Sequence, residues 1–128
     1  MSRVLEGLSP ERVFYYFEEI SKIPRCSCDE KRVSDYLANL GSDLGLETIQ
    51  DEALNIIIKK PGTKGYENSP TVILQGHMDM VCEKDESVEH DFTKDPISLK
   101  VEGDYIRADG TTLGADNGIA VAMALAVL

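Results

Sequence analysis

The feature that most constrains the fold is the apolar run at residues 71–76, which ends in a glycine and is followed by His77 and Asp79. A short apolar run bounded by Pro70 and a glycine is typical of a buried β-strand. In an open α/β sheet, functional side chains gather beyond the carboxyl ends of the strands. The run therefore predicts a central strand that presents His77 and Asp79 at a functional edge.

The His-x-Asp pattern at residues 77–79 has two interpretations. A metal-binding histidine usually donates its second ring N–H to a carboxylate, which fixes the tautomer and raises the basicity of the other nitrogen. His77 and Asp79 suit such a pair. They also suit a plain turn with one exposed histidine and one exposed aspartate, because so short a pattern has little specificity.

The charge balance argues against two classes of partner. The chain of 128 residues has 13 Lys and Arg against 23 Asp and Glu, a net charge of −10. Nucleic acids and anionic membranes both require a basic face, so we expect neither as a partner. An acidic surface also suits a cleft that binds cations. The length is that of one domain with a hydrophobic core.

Cysteine usage predicts the cellular compartment. The chain has three cysteines, an odd number, and its N-terminus has no apolar secretory segment. We therefore expect free thiols in a reducing, cytoplasmic setting. A metal site of Cys26, Cys28 and Cys82 is the less favoured interpretation, because zinc sites usually separate paired cysteines by two or more residues. Small, partly buried thiols near a helix start fit better.

Helices and strands alternate along the chain. Ser9-Pro10 predicts a helix start with Ser as the cap, and Ser27 with Glu30 matches a capping box before a second helix. Further strands are predicted at residues 46–50, 53–60, 97–101 and 105–107, the last two joined as a hairpin. Adjacent Glu18 and Glu19 suggest a solvated helix face, and His90 suggests an ordinary loop histidine.

A glycine-rich segment precedes the last predicted helix. Residues 109–118 contain three glycines together with Asp and Asn, which favours unusual backbone angles over a regular element. The glycine spacing does not match a dinucleotide-binding loop, and no P-loop lysine is present. The apolar residues 119–128 predict a buried helix that starts from this turn. Asp116 can therefore be interpreted as the helix N-cap.

Two sequence blocks resemble a known family. The first is Gly-His-Met-Asp-Met-Val-Cys-Glu-Lys at 76–84, and the second is Gly-Thr-Thr-Leu-Gly-Ala-Asp-Asn-Gly-Ile-Ala at 110–120. Their order and spacing are similar to the co-catalytic zinc exopeptidases, which include aminoacylase and carnosinase, and in particular to the bacterial aminoacylhistidine dipeptidases. The resemblance extends to Ile-Pro-Arg at residues 23–25.

The resemblance implies roles for the matching positions. His77 matches a zinc ligand, Asp79 the catalytic-site acid that orients it, and Asp116 the carboxylate that bridges two zinc ions. It also implies a cis peptide bond between Asp116 and Asn117. Imidazole and carboxylate ligands suit zinc, with cobalt or manganese as alternatives. The implied activity is hydrolysis of Xaa-His dipeptides, in which a metal-bound hydroxide attacks the peptide carbonyl.

The resemblance implies the N-terminal portion of a three-layer α/β/α catalytic domain with a mixed twisted sheet. The resemblance also implies that residues 1–128 do not include the Glu-Glu pair that supplies the general base and a ligand, the remaining ligands, the C-terminal half or the inserted lid or dimerisation domain. We expect a homodimeric parent enzyme, and a fragment that binds zinc weakly and hydrolyses nothing. The alternative is a natural short, non-catalytic folding or interaction module. Residues 119–128 offer an apolar surface for self-association.

Overall fold

The computed structural model describes residues 2–128. Three helices and two antiparallel hairpins make up the regular structure, and the α/β class predicted from the sequence is confirmed. In chain order the elements are α1 (Glu11–Ser21), α2 (Lys31–Asp43), β1 (Glu47–Gln50), β2 (Ile56–Lys59), β3 (Leu99–Glu102), β4 (Tyr105–Ala108) and α3 (Ala115–Val127).

The core lies between the helices. Helix α1 packs against α3, and α2 packs against β1 and β2. Most of the buried apolar side chains form one cluster, and Met80 is buried outside it. The cluster consists of Leu5, Tyr16, Phe17, Ile20, Val33, Leu37, Ala122 and Leu125. Among residues 2–128, no helix combines the length and hydropathy needed to cross a bilayer.

The three predicted side-chain caps, Ser9, Ser27 and Asp116, are wrong, since no side chain caps α1, α2 or α3. Pro10 occupies the N-cap of α1 in an extended conformation, and no side chain caps that helix. Helix α2 begins after Glu30, again without a side-chain cap. The Ser27 hydroxyl donates instead to Asp79, and the Glu30 carboxylate accepts from the Cys28 N–H at 2.6 Å. A capping box depends on local geometry, and here Ser27 forms a long-range hydrogen bond in place of the cap.

Glu18 also departs from its prediction as a solvated residue. Its side chain is buried, and its carboxylate accepts the backbone N–H groups of Val4 and Leu5 at 2.9 and 3.0 Å. The neighbouring Glu19 forms ion pairs with Arg3 at 2.8 Å and Lys22 at 2.6 Å. The two carboxylates therefore attach the N-terminal segment to α1 and have no part in a catalytic pair.

The hairpins follow the predicted pattern with shifted ends. Strands β1 and β2 pair antiparallel with Thr48 opposite Ile58, and β3 and β4 pair with Val101 opposite Ile106. Helix α2 ends in a Schellman arrangement, in which the N–H groups of Gly45 and Leu46 donate to the carbonyls of Ser42 and Gly41. Gly45 has φ of +72° here, a backbone conformation that glycine adopts without strain.

The predicted central strand at residues 71–76 is not formed. These residues, all within the described part of the chain, form no strand. Val72, Ile73 and Leu74 are 79%, 83% and 57% exposed. A strand requires a hydrogen-bonded neighbour, and the two hairpins pair only within themselves. The run therefore has the composition of a buried strand but no partner strand within residues 2–128.

Candidate metal centre

His77 lies between two carboxylates. Its Nδ1 is 2.9 Å from Oδ1 of Asp79, and its Nε2 is 3.1 Å from Oδ1 of Asp116. The other oxygen of Asp79 accepts the Ser27 hydroxyl at 2.5 Å. The Asp116 side chain is 97% exposed and that of His77 53% exposed, so the face between them is open to solvent.

The hydrogen bonds shift the protonation of this cluster. The hydrogen bond to Asp79, followed by that to Asp116, raises the pKa of His77 above its ordinary 6.5. The Ser27 hydroxyl, followed by His77, lowers the pKa of Asp79 below 3.8. When Nδ1–H donates to Asp79, the Nε2 lone pair faces an anionic oxygen unless a proton or a metal cation occupies Nε2. The arrangement therefore favours a positive charge between His77 and Asp116.

The residues present fit zinc by donor type and by spacing. Zinc binds imidazole nitrogen and carboxylate oxygen at about 2.0–2.1 Å, and two ligands of one tetrahedral ion are then roughly 3.3 Å apart. The observed 3.1 Å between Nε2 of His77 and Oδ1 of Asp116 is close to that value. Asp79 occupies Nδ1, as a residue that orients a metal-binding histidine does.

The ligand set is incomplete in this chain. Within residues 2–128, no three His, Cys, Asp or Glu side chains are grouped so that they could hold one ion. His90, the other histidine, lies in a different loop, where its ring contacts Phe92 edge-on with ring centroids 4.4 Å apart. Of the residues singled out from the sequence, the structure therefore brings together His77, Asp79 and Asp116.

The glycine-rich segment reaches His77 because it runs beside residues 81–84. The Thr112 hydroxyl donates to the Val81 carbonyl at 2.7 Å, and the Thr112 backbone N–H donates to the Glu83 carbonyl at 2.9 Å. Lys84 and Thr111 form an isolated antiparallel bridge. The expected cis peptide between Asp116 and Asn117 is present, and these two residues interrupt the helical angles at the start of α3.

Arg25 connects the two loops that carry the site, although the sequence interpretation assigned it no role. Its side chain is 1% exposed, and it donates to the carbonyls of Met78 at 3.0 Å and Gly114 at 2.9 Å. Burial lowers the pKa of this guanidinium to about 10, against the opposing effect of Asp79. The sequence feature that could have indicated this role is the position of Arg25 in the Ile-Pro-Arg stretch, which the resemblance includes.

A disulfide corrects the prediction of free thiols. Cys26 and Cys82 are bonded, with their Cα atoms 5.7 Å apart, and Cys28 is the exposed free cysteine of the described chain. The bond removes Cys26 and Cys82 as thiolate ligands, so the alternative three-cysteine metal site is wrong. It also joins the segment that contains Ser27 to the segment that follows Asp79.

Known proteins resemble the whole of this chain. No family model matches it. It is 45% identical, over 97% of its length, to the cytosol non-specific dipeptidase of Escherichia coli, of which it covers 26%. The crystal structure of aminoacylhistidine dipeptidase from Vibrio alginolyticus superposes on 98% of the chain with a TM-score of 0.93 and 43% identity, and 26% of that protein is covered.

The chain thus spans about a quarter of the length of the relatives it matches. Both relatives are named as dipeptidases, and one carries the name that the two sequence blocks predicted. The resemblance of this chain to the aminoacylhistidine dipeptidases, in sequence and in α/β fold, is confirmed.

Proposed function

We propose that this chain supplies part of a two-zinc site in a metal-dependent dipeptidase. In this proposal His77 is a terminal zinc ligand, Asp116 is the carboxylate that bridges the two ions, and Asp79 orients His77. The observation that carries it is the position of His77, whose Nε2 faces Asp116 at 3.1 Å while Nδ1 is engaged by Asp79.

The side chains of the cluster have complementary tasks. Asp79 accepts the Nδ1–H of His77, which directs the Nε2 lone pair toward the cation site and raises its basicity. Ser27 donates to the far oxygen of Asp79 and favours its ionised form. Asp116 is almost fully exposed, which leaves its carboxylate accessible to two ions. Zinc, when bound, supplies a Lewis acid for the peptide carbonyl and lowers the pKa of water.

The substrate class in this proposal is dipeptides, of the Xaa-His type. Dipeptides are supported by the names of both relatives, and the Xaa-His type by the name of the aminoacylhistidine dipeptidase alone. A cytoplasmic location is supported by the first relative, which is named as a cytosol enzyme. We extend the proposal to a homodimeric parent enzyme, with cobalt or manganese as alternative metals.

The chain alone is proposed to bind zinc weakly and to lack turnover. A catalytic zinc ion takes about three protein ligands, and His77 with Asp116 supplies two. Glu18 and Glu19 do not supply the general base and further ligand expected from the resemblance, because their carboxylates are engaged in structural contacts. The complete activity belongs to a longer polypeptide in this proposal.

Zinc titration of the 128-residue chain tests the proposal. We expect weak binding that is lost in His77→Ala and retained in His90→Ala, a matched control because His90 lies outside the cluster. Calorimetry or NMR of the histidine rings measures the dissociation constants. Equal binding by wild type and His77→Ala would reject the metal site. Dipeptide hydrolysis by the chain that disappears in His77→Ala would refute the claim of inactivity.

A further inference from the structure

We propose that Arg25 is a positioning residue for the metal site, which sets the separation of His77 and Asp116 by binding the backbone of both loops. The inference rests on the proposed function, because it concerns how that site is assembled. Arg25 itself touches neither His77 nor Asp116 by hydrogen bond. It acts on the residues next to them.

The hydrogen bonds of Arg25 connect two distant parts of the sequence. Nη1 donates to the carbonyl of Met78, which lies between His77 and Asp79, at 3.0 Å. Nη2 donates to the carbonyl of Gly114, two residues before Asp116, at 2.9 Å. These contacts span 53 and 89 residues of sequence. One planar guanidinium therefore fixes the backbone on both sides of the 3.1 Å gap between the candidate ligands.

The space around the guanidinium is closely matched to its shape. An added Cβ on Gly114 would lie 2.5 Å from Nη2 of Arg25, and one on Gly118 would lie 2.8 Å from the same atom. Any side chain at either position would displace the guanidinium. The glycines on both sides of Asp116 thus leave room for Arg25, which accounts for two of the three glycines that make this segment irregular.

Adjacent backbone contacts reinforce the same connection. The N–H of Met80 donates to the Arg25 carbonyl at 3.0 Å, and the N–H of Ser27 donates to the Met80 carbonyl at 3.1 Å. These bonds form the parallel bridge between Cys26 and Met80. The backbone therefore aligns residues 25–27 with residues 78–80, and the Arg25 side chain extends from there to the glycine-rich loop.

The charge of Arg25 is directed to carbonyl groups. Within residues 2–128, Arg25 forms no salt bridge within 4 Å, and its Nε has no hydrogen-bond partner. Two charge-assisted bonds to backbone oxygens, together with the nearby charge of Asp79, therefore partly offset the burial of the cation. A lysine could place one ammonium near one carbonyl, but it lacks the fixed fork that reaches two oxygens in different directions.

A purely structural role predicts a different outcome from a positioning role. If Arg25 only stabilised the fold, its substitution would lower the melting temperature and leave the zinc affinity of the folded molecules unchanged. If it sets the ligand separation, zinc affinity falls at temperatures where the variant is fully folded. Substitution of residues that support metal ligands typically weakens metal binding by about 10–100-fold.

The test is zinc titration of the 128-residue chain, followed by NMR of the His77 ring, well below the melting temperature of each variant. We expect Arg25→Met to raise the zinc dissociation constant roughly tenfold or more, and Arg25→Lys to give a smaller increase. Val33→Ala is the matched control, since Val33 is fully buried in α2 and contacts neither loop by hydrogen bond. It should lower the melting temperature and leave zinc affinity unchanged.

Gly118→Ala provides a second test in case Arg25→Met does not fold. Alanine favours the helix more than glycine does, so a local effect would stabilise α3. Displacement of the guanidinium would instead weaken zinc binding. The inference is overturned if His77→Ala loses zinc binding while Arg25→Met binds zinc as tightly as wild type. The same conclusion follows if both Arg25→Lys and Gly118→Ala keep the wild-type zinc affinity. If His77→Ala binds zinc as wild type does, the proposed function fails first.

Discussion

Two stretches of one extended segment have opposite surroundings. Residues 72–74 are apolar and exposed, with Ile73 at 83%. Six residues after Leu74, Met80 is 2% exposed and bonded through its backbone to Arg25 and Ser27. The difference is not one of hydrophobicity, since Val72, Ile73 and Leu74 are as apolar as the core. The difference in exposure comes from the neighbouring segments that each stretch can contact.

The exposed stretch borders a groove. Val72 and Leu74 line it together with β2 and α3, and its volume is about 910 Å³. The second stretch, residues 78–82, is called the bonded stretch and lies beside residues 25–27. Arg25 donates to the Met78 carbonyl, Ser27 donates to Asp79, and Cys26 forms the disulfide with Cys82. Burial of polar and apolar groups thus depends on partners more than on composition.

Breaking the disulfide should have the largest effect on the bonded stretch. Cys26 and Cys82 are separated by 56 residues, and closure of a loop of that size contributes about 4 kcal/mol in the chain-entropy model. We expect Cys82→Ser, or reduction with dithiothreitol, to lower the free energy of unfolding by about that amount in urea denaturation.

Cys28→Ser is the matched control, because Cys28 is exposed and unbonded, and it should unfold as wild type does. Identical urea midpoints with and without reductant would show that the bond adds nothing to stability.

Gly114→Ala should have the next largest effect. Gly114 has φ of +77°, which costs an L-residue about 1–2 kcal/mol, and the added Cβ would contact Arg25 and the Met80 sulfur at 2.5 and 2.7 Å. We expect a loss of roughly 2 kcal/mol or more in the free energy of unfolding. The measurement is urea denaturation of the oxidised chain.

Gly7→Ala isolates the backbone part of that loss. Gly7 has φ of +82°, and a Cβ there would meet nothing within 4 Å. The difference between the two alanine variants therefore measures the tight packing around Arg25. Equal losses in Gly114→Ala and Gly7→Ala would contradict that packing.

The contribution of the His77 and Asp79 cluster to stability should depend on pH. The pKa of His77 is raised, so its contribution to stability is complete below pH 6.5 and is lost as pH rises through the raised value. The pKa of Asp79 is lowered, so its contribution is present above pH 3.8 and is lost as pH falls through the lowered value. Without zinc, the cluster therefore stabilises the chain most between these limits.

NMR titration of the two histidines measures the shift, with His90→Gln to assign the signals. Asp79→Asn should reduce the pKa of His77 more than Asp116→Asn does, because the Asp79 hydrogen bond is the larger raising effect. A larger decrease in Asp116→Asn would reverse the assigned roles of the two carboxylates.

Ile73→Ala should have the smallest effect. The side chain is 83% exposed, and such surface substitutions usually change the free energy of unfolding by less than about 0.5 kcal/mol. Ile20→Ala, at a residue 1% exposed, should cost about 2–5 kcal/mol. A large loss in Ile73→Ala, measured by thermal unfolding, would show that residues 72–74 are covered in solution.

Helix and hairpin positions were predictable because they depend on local patterns. Phe17 and Ile20 recur at helical spacing and are buried on α1, and β3 and β4 pair as the predicted hairpin. The caps were not predictable in the same way. Ser27 satisfies the local rule for a cap, yet its hydroxyl lies within reach of Asp79, 52 residues away.

The sequence by itself determined the α/β class and the resemblance to dipeptidases, and it singled out His77, Asp79 and Asp116 as candidate site residues, because residue types and motif spacing carry that information. Only the tertiary structure decided that Arg25 joins the two loops, that Cys26 and Cys82 are bonded, and that residues 71–76 lack a strand partner. Those features depend on contacts between residues far apart in the chain. A cation, a thiol or an apolar run has the same local sequence whether or not a partner from elsewhere in the chain lies beside it in the fold.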